Sequence, residues 1–226
     1  MTWTQCLTHL SNSWVRQSKN KNIHRKDQKN LSSSWSRTML TFIYSTVNAG
    51  KTANLLMRSH SCSSRNIPHT IYVPEVASGR DGKNQVASRI GFTSQAVSLS
   101  EKDNILEKTI KKLVKGDKDE IVFVDEAQFL TKDQVIQLSN IVSELEISVY
   151  AYGLRTDFRG EPFEGSTYLM SWADVIEEIS IIGNNGSKAI FNQKIDKLGN
   201  GTLEGESVEA GFHYIPVTRS EFTLKN

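Results

Sequence analysis

An apolar run of Met39, Leu40, Phe42, Ile43 and Tyr44 stops at Ser45-Thr46-Val47-Asn48-Ala49-Gly50-Lys51-Thr52, and a helix-favouring stretch over 51–62 follows. Strand, tight loop and helix in that order make a phosphate-binding loop. Successive backbone N–H groups of such a loop curl around an oxyanion, and the helix N-terminus adds partial positive charge. Lys51 can reach terminal phosphates, and the Thr52 hydroxyl can ligate Mg²⁺. Gly50, with no Cβ, lets the backbone approach a phosphate closely. Against the pattern G-x-x-x-x-G-K-[ST], Ser45 stands where the first Gly belongs. A bare Gly-Lys-Thr also fits an ordinary helix start. The assignment therefore leans on the strand before the loop and on an acidic box further along.

That box follows Ile121-Val122-Phe123-Val124, a continuous apolar run of the kind found in a parallel strand buried on both faces. It reads Asp125-Glu126-Ala127-Gln128-Phe129. An apolar strand ending in Asp-Glu is the usual partner of a phosphate loop. Asp125 can hold Mg²⁺ through water. Glu126 can polarise a water, as in an ATPase, or accept the proton of a substrate hydroxyl, as in a kinase. The blander alternative is a solvated acidic pair complementing the dipole of the next helix. Expected nucleotide contacts are Ser45, Thr46, Val47, Asn48, Ala49, Gly50, Lys51, Thr52, Asp125 and Gln128.

A chain of 226 residues suits one domain with a small appendage. No apolar run approaches the roughly 20 residues that span a membrane. Cys6 and Cys62 have neither disulfide nor metal spacing and read as reduced thiols, which fits the cytoplasm. Residues 1–38 carry seven Lys or Arg against Asp27 alone, so the remainder holds 20 basic and 24 acidic side chains, net −4. Such a body lacks the basic surplus of a nucleic-acid binder. Residues 1–38 are polar and Ser-rich, without helical or strand period, and are expected to be a disordered extension, the alternatives being a transit peptide and a working chain that begins at Met39.

The order of elements implies an α/β fold. Residues 69–73 read as a buried strand ended by Pro74, and 75–95 as a loop over the site. Ser100-Glu101-Lys102-Asp103 is expected to cap a helix with an apolar face from Ile105 to Val114, stopped by Gly116. Thr131 and Gln134 form a capping box before a helix carrying Val135, Leu138, Ile141, Val142 and Leu145. A strand is expected over 147–152, a binding loop over 153–165, a helix over 166–173, a strand over 175–182, and two more strands near 188–195 and 213–217. Strands alternating with helices predict a parallel sheet, with ligands at the strand C-terminal ends.

Three motifs in this order resemble the type II thymidine kinases in their bacterial and phage form. Residues 45–52 are similar to that family's phosphate loop, and Val-Asp-Glu-Ala-Gln-Phe at 124–129 to its acidic box. Tyr152-Gly153-Leu154-Arg155-Thr156-Asp157-Phe158 with Pro162-Phe163 resembles its substrate-holding lasso, and Ser88-Arg89-Ile90-Gly91 also fits. The resemblance covers nearly all of 39–226. It implies a P-loop parallel sheet flanked by helices over 39–180 and a small β-rich appendage, 181–226, carrying the lasso. It implies transfer of the ATP γ-phosphoryl group to the 5′-hydroxyl of thymidine, with Glu126 as general base. Lys51 and Thr52 serve phosphates and Mg²⁺, with Asp125 assisting the metal. Phe129, Leu154, Phe158, Tyr214 and Arg80 are the implied substrate contacts, core packing being the alternative for Phe129 and Phe158. A homotetramer is the family's common state.

Two departures stand out. The family's structural zinc is held by four Cys or His positions that here are Ile182, Asn185, Thr218 and Glu221, so no zinc is expected. The family's Pro-x-x-Asp-x-Arg becomes Pro74-Glu75-Val76-Ala77-Ser78-Gly79-Arg80, losing the Asp and displacing the Arg by one. Beside the kinase stand two alternatives: a non-catalytic nucleotide-binding relative, suggested by those departures, and a nucleic-acid-dependent ATPase, suggested by Asp-Glu-Ala-Gln.

Overall fold

Six parallel strands form the central sheet of the computed structural model, which describes residues 38–78, 84–116, 119–196, 198–205 and 213–222. The strands are β1 (Leu40–Ser45), β2 (His69–Pro74), β5 (Val97–Leu99), β6 (Ile121–Val124), β7 (Ser148–Leu154) and β8 (Val175–Glu178), ordered β5-β2-β6-β7-β1-β8. The expected extension, bar its last residue, and Arg80 lie outside the described residues.

Alternation along β1 explains the layers. Leu40 and Phe42 point to one face and Ile43 to the other, and all three are buried. The Phe42 face is covered by α3 (Ile105–Val114), α4 (Lys132–Leu145) and α5 (Glu164–Trp172), which supply Ile105, Val135, Leu138, Ile141 and Leu169. The Ile43 face takes Leu55, Leu56 and Cys62 of α1 (Lys51–Ser64). A parallel sheet covered on both sides needs the unbroken apolar strands that β1 and β6 have.

Several elements differ from the sequence reading. Residues 75–95 are not a bare loop: α2 (Glu75–Ser78) follows β2, and β3 (Gln85–Ala87) pairs antiparallel with β4 (Thr93–Gln95). Buried Val86 fixes this hairpin to the Ile43 face. Ser100–Asp103 closes a turn rather than a helix start, with the Ser100 N–H donating to Asp103 Oδ2. The cap of α3 is Asn104, whose Oδ1 accepts from the Glu107 N–H at 2.9 Å. Its apolar face is also narrower than the pattern suggested, because Val114 is exposed. The Thr131 and Gln134 capping box of α4 forms as expected. The strand expected over 175–182 is split into β8 and β9 (Ile181–Ile182).

The C-terminal part adds two small antiparallel sheets. One pairs β9 with β10 (Lys188–Ala189); the other is ordered β12-β11-β13, from Phe191–Ile195, Gly201–Thr202 and His213–Val217 as β11, β12 and β13. All these elements belong to one compact unit spanning Arg37–Asn226. Among the described residues no helix is long and apolar enough to cross a membrane.

Candidate active site

The loop between β1 and α1 turns twice through the left-handed region, at Asn48 (φ 63°) and Gly50 (φ 84°). Asn is the side chain that best tolerates that conformation, and Gly adopts it freely. A Cβ on Gly50 would meet nothing within 4 Å, so its lack of a side chain serves the backbone turn. Lys51 lies buried under the loop and donates from Nζ to the Thr46 carbonyl at 2.7 Å. Burial pulls its ammonium below the ordinary lysine range, while Glu126 and then Asp125 pull it back up.

β6 carries Asp125 to the same end of the sheet. Its Oδ2 accepts from the Thr52 hydroxyl at 2.9 Å, joining the two motifs across 73 residues of sequence. Burial pushes the Asp125 carboxyl up to about 7, and the neighbouring Glu126 adds to the rise. The Thr52 hydrogen bond, a backbone bond and Lys51 oppose it. Glu126 is half-buried and left-handed (φ 50°, ψ 39°), a conformation that costs a glutamate on the order of 1 kcal/mol or more. This turn opens a 3₁₀ helix, Ala127–Phe129. Hard oxygen donors at Thr52 and Asp125, beside a lysine and a loop of free curvature, suit Mg²⁺ with a phosphate chain.

Gln128 is buried, and both ends of its amide are used. Nε2 donates to Glu126 Oε2, and Oε1 accepts from the Leu154 N–H at 3.0 Å. Sequence reading put Gln128 among nucleotide contacts; here it links the acidic turn to the end of β7. Gly153 makes room for it, since a Cβ there would sit 3.1 Å from Gln128 Oε1 and from its backbone N.

After Leu154 the chain loops out over 155–163 and returns at α5. Thr156 and Pro162 bridge its stem, the Asp157 N–H donates to the Glu161 carbonyl at 2.8 Å, and Asp157 Oδ1 accepts from the N–H groups of Arg159 and Glu161. Phe158 is fully buried, 6.1 Å from the Tyr214 ring and with the cations of Arg159 and Lys194 over its own ring. Phe129 meets Phe163 edge to face at 5.5 Å. A cleft of about 450 Å³ opens beside Phe129, with Pro74, Val76, Leu99 and Ser100 among its walls. Leu154, Phe158 and Tyr214 do not line it. The structure thus brings together 45–52, Asp125, Glu126 and Gln128, and packs Phe158 against Tyr214.

Sequence reading missed two side chains that contact the phosphate loop. Arg89, at the tip of the β3–β4 hairpin, donates to Asn48 Oδ1, and Asn192 of β11 accepts from the Val47 N–H at 2.8 Å. The Arg89 stretch had a motif to flag it. Nothing in the sequence ties Asn192 to a loop 145 residues away.

At the positions where the family keeps zinc, Asn185 Nδ2 donates to Thr218 Oγ1 at 2.9 Å and to Ser220 Oγ at 3.3 Å, and Glu221 Oε2 accepts from both the N–H and the hydroxyl of Thr218. One carboxylate with an amide, a hydroxyl and an isoleucine is not a zinc donor set.

The family model for thymidine kinase matches residues 38–222. The thymidine kinase of Coxiella burnetii is 42% identical over 187 residues, covering 82% of this chain and 95% of that relative. That of Mannheimia succiniciproducens is 42% identical over 188 residues, with the same two shares. That of Xanthomonas axonopodis pv. citri is 44% identical over 186 residues, covering 81% of this chain and 88% of that relative.

Proposed function

This chain belongs to the thymidine kinase family, and from that membership we infer that it transfers the γ-phosphoryl group of ATP to the 5′-hydroxyl of thymidine. The observation that carries the mechanism is the Thr52–Asp125 hydrogen bond, with Glu126 next in the chain. The phosphate loop over 45–50 receives the phosphates on its backbone N–H groups. Lys51 exchanges the Thr46 carbonyl for a phosphate oxygen. Thr52 and Asp125 would hold Mg²⁺, which would supply neutralisation of phosphate charge.

Glu126 is the general base. The 5′-oxygen attacks the γ-phosphorus, the bond from that phosphorus to the ADP oxygen breaks, and the hydroxyl proton passes to the Glu126 carboxylate. Gln128 holds that carboxylate by one oxygen and leaves the other for the substrate. Residues 154–163 and Phe129 surround thymine, and Tyr214 packs behind Phe158. A flat pyrimidine asks for such apolar walls with a few fixed polar groups. The protein acts in the cytoplasm as a homo-oligomer, a tetramer by resemblance to its family, and it holds no zinc. Nucleic acid and membrane are not partners.

Phosphorylation of radiolabelled thymidine with Mg·ATP by the wild type and by Glu126→Gln tests this. The amide is near-isosteric but takes no proton. We expect kcat to fall about 10²–10⁴-fold with ATP affinity unchanged. A folded, ATP-binding wild type that leaves thymidine untouched sinks the reading in favour of a non-catalytic relative.

A further inference from the structure

Asn192 stands on β11, outside the phosphate loop and the acidic turn, and is 3% exposed. Both ends of its carboxamide are engaged. Oδ1 accepts from the Val47 N–H at 2.8 Å, and Nδ2 donates to the Thr156 carbonyl at 2.9 Å. The orientation is fixed by its partners, because a backbone N–H can only donate and a carbonyl can only accept. Val47 lies in the middle of the phosphate loop. Thr156 opens the 155–163 loop and is bridged to Pro162 on the return. One side chain from a third element therefore joins the two loops.

The sheet around it repeats the arrangement. Asn192 is registered with Pro216 of β13, and two residues earlier on that strand Tyr214 touches both loops again. Its carbonyl accepts from Asn48 Nδ2 at 3.5 Å and its ring packs on Phe158. The Arg155 guanidinium reaches the Ile190 carbonyl at 3.4 Å from the other side. A displacement of either loop must move β11 or break a buried hydrogen bond, and a buried amide left half-paired is costly.

We propose that Asn192 is a positioning residue that couples the two substrate sites: the loop ordered first by its own substrate sets the other through this carboxamide. The proposal rests on the reading of 45–52 as the ATP loop and 155–163 as the thymidine loop. Coupling of this kind is reciprocal, so thymidine must tighten nucleotide binding by the same factor as nucleotide tightens thymidine binding.

The test is calorimetric titration of a non-hydrolysable ATP analogue with Mg²⁺, with and without saturating thymidine, on the full chain and on Asn192→Leu and Asn192→Asp. Leucine removes both hydrogen bonds. Aspartate keeps an acceptor for Val47 and sets an oxygen against the Thr156 carbonyl. Its added charge weakens the nucleotide equally with and without thymidine, so the ratio of the two affinities is unaffected by it. We expect thymidine to tighten wild-type nucleotide binding about fivefold or more, and the ratio to fall within about twofold of one in both variants. A purely structural role lowers Tm and leaves the ratio alone. Retention of the wild-type ratio in a folded variant, or a wild-type ratio of one, overturns the proposal. Should leucine fail to fold, aspartate alone decides. A wild type that binds nucleotide but not thymidine refutes the functional reading instead.

Discussion

Burial and the adjoining Glu126 raise the Asp125 carboxyl, and Thr52 and Lys51 hold it back only in part. An unfolded aspartate titrates near 3.9, so the folded group, at about 7, disfavours its own charged form. The sign follows from linkage. The stability this group contributes is complete below about pH 4 and is lost as pH rises through 7. Asp125→Asn stays neutral throughout. Thermal denaturation of the metal-free protein should therefore show the Asn form gaining on the wild type, with the gap small at pH 5 and larger at pH 8. Turnover should be lost at both. An equal gap at the two pH values would mean that the carboxyl is not raised. The proposed reaction gives so awkward a residue a use: Mg²⁺ held there would need the deprotonated carboxylate that the metal-free fold resists. The placement of Asp125 beside Thr52 was legible from sequence because its partner motif sits in a fixed grammar of strand, loop and helix. Asn192 was not, because its value comes from tertiary contacts with Val47 and Thr156 alone.

Among the elements, strands with continuous apolar runs were legible and short edge pieces were not. β6 and α4 announce themselves by Ile121 to Val124 and by the Thr131 box. The β3–β4 hairpin has one buried anchor, Val86, and its exposed Ile90 and Phe92 carry no alternation to read. The link between β9 and the chain after β13 is a polar tie among Asn185, Thr218, Ser220 and Glu221, and two predictions belong to it. The Glu221 carboxyl is held below its usual range by the N–H and the hydroxyl of Thr218. A depressed carboxylate stabilises above its unfolded pKa, so this tie loosens only as pH falls through the acidic range. Thr218 is 2% exposed. Thr218→Val keeps shape and removes the hydroxyl, so it should cost about 1 kcal/mol, or roughly 2–4 °C in Tm. Faster hydrogen exchange should be confined to 181–190 and 213–222. Prolonged EDTA treatment, followed by restored Mg²⁺, should change neither Tm nor turnover. Loss of stability on chelation that zinc reverses would show that a metal site exists despite these residues.

The whole molecule raises the question of which parts the chemistry needs. At the N-terminal side the sheet begins abruptly. The Val149 N–H donates to the Met39 carbonyl at 3.0 Å, and the Leu40 N–H to Asp174 Oδ2 at 2.8 Å. The first strand is thus fastened within two residues of its start, by partners that all belong to the same unit. The C-terminal side is different. The Val47 N–H donates to Asn192 Oδ1, and the Arg155 guanidinium to the Ile190 carbonyl. The appendage read from sequence as 181–226 therefore reaches into both loops of the candidate site, and a boundary drawn at 180 separates segments that hold one another in place. A chain shortened to begin at Met39 should keep Tm within about 1 °C and thymidine turnover within twofold, because β1 is already fastened by Val149 and Asp174 of its own unit. A chain ending at 180 should lose turnover altogether and expose the buried ring of Phe158, which Tyr214 and Lys194 cover, seen as early unfolding and dye binding. Full activity in the second form would place all the chemistry in the parallel sheet and reduce β11 and β13 to a cover. Lost activity in the first would give the basic, Ser-rich stretch a part in catalysis that its composition does not suggest.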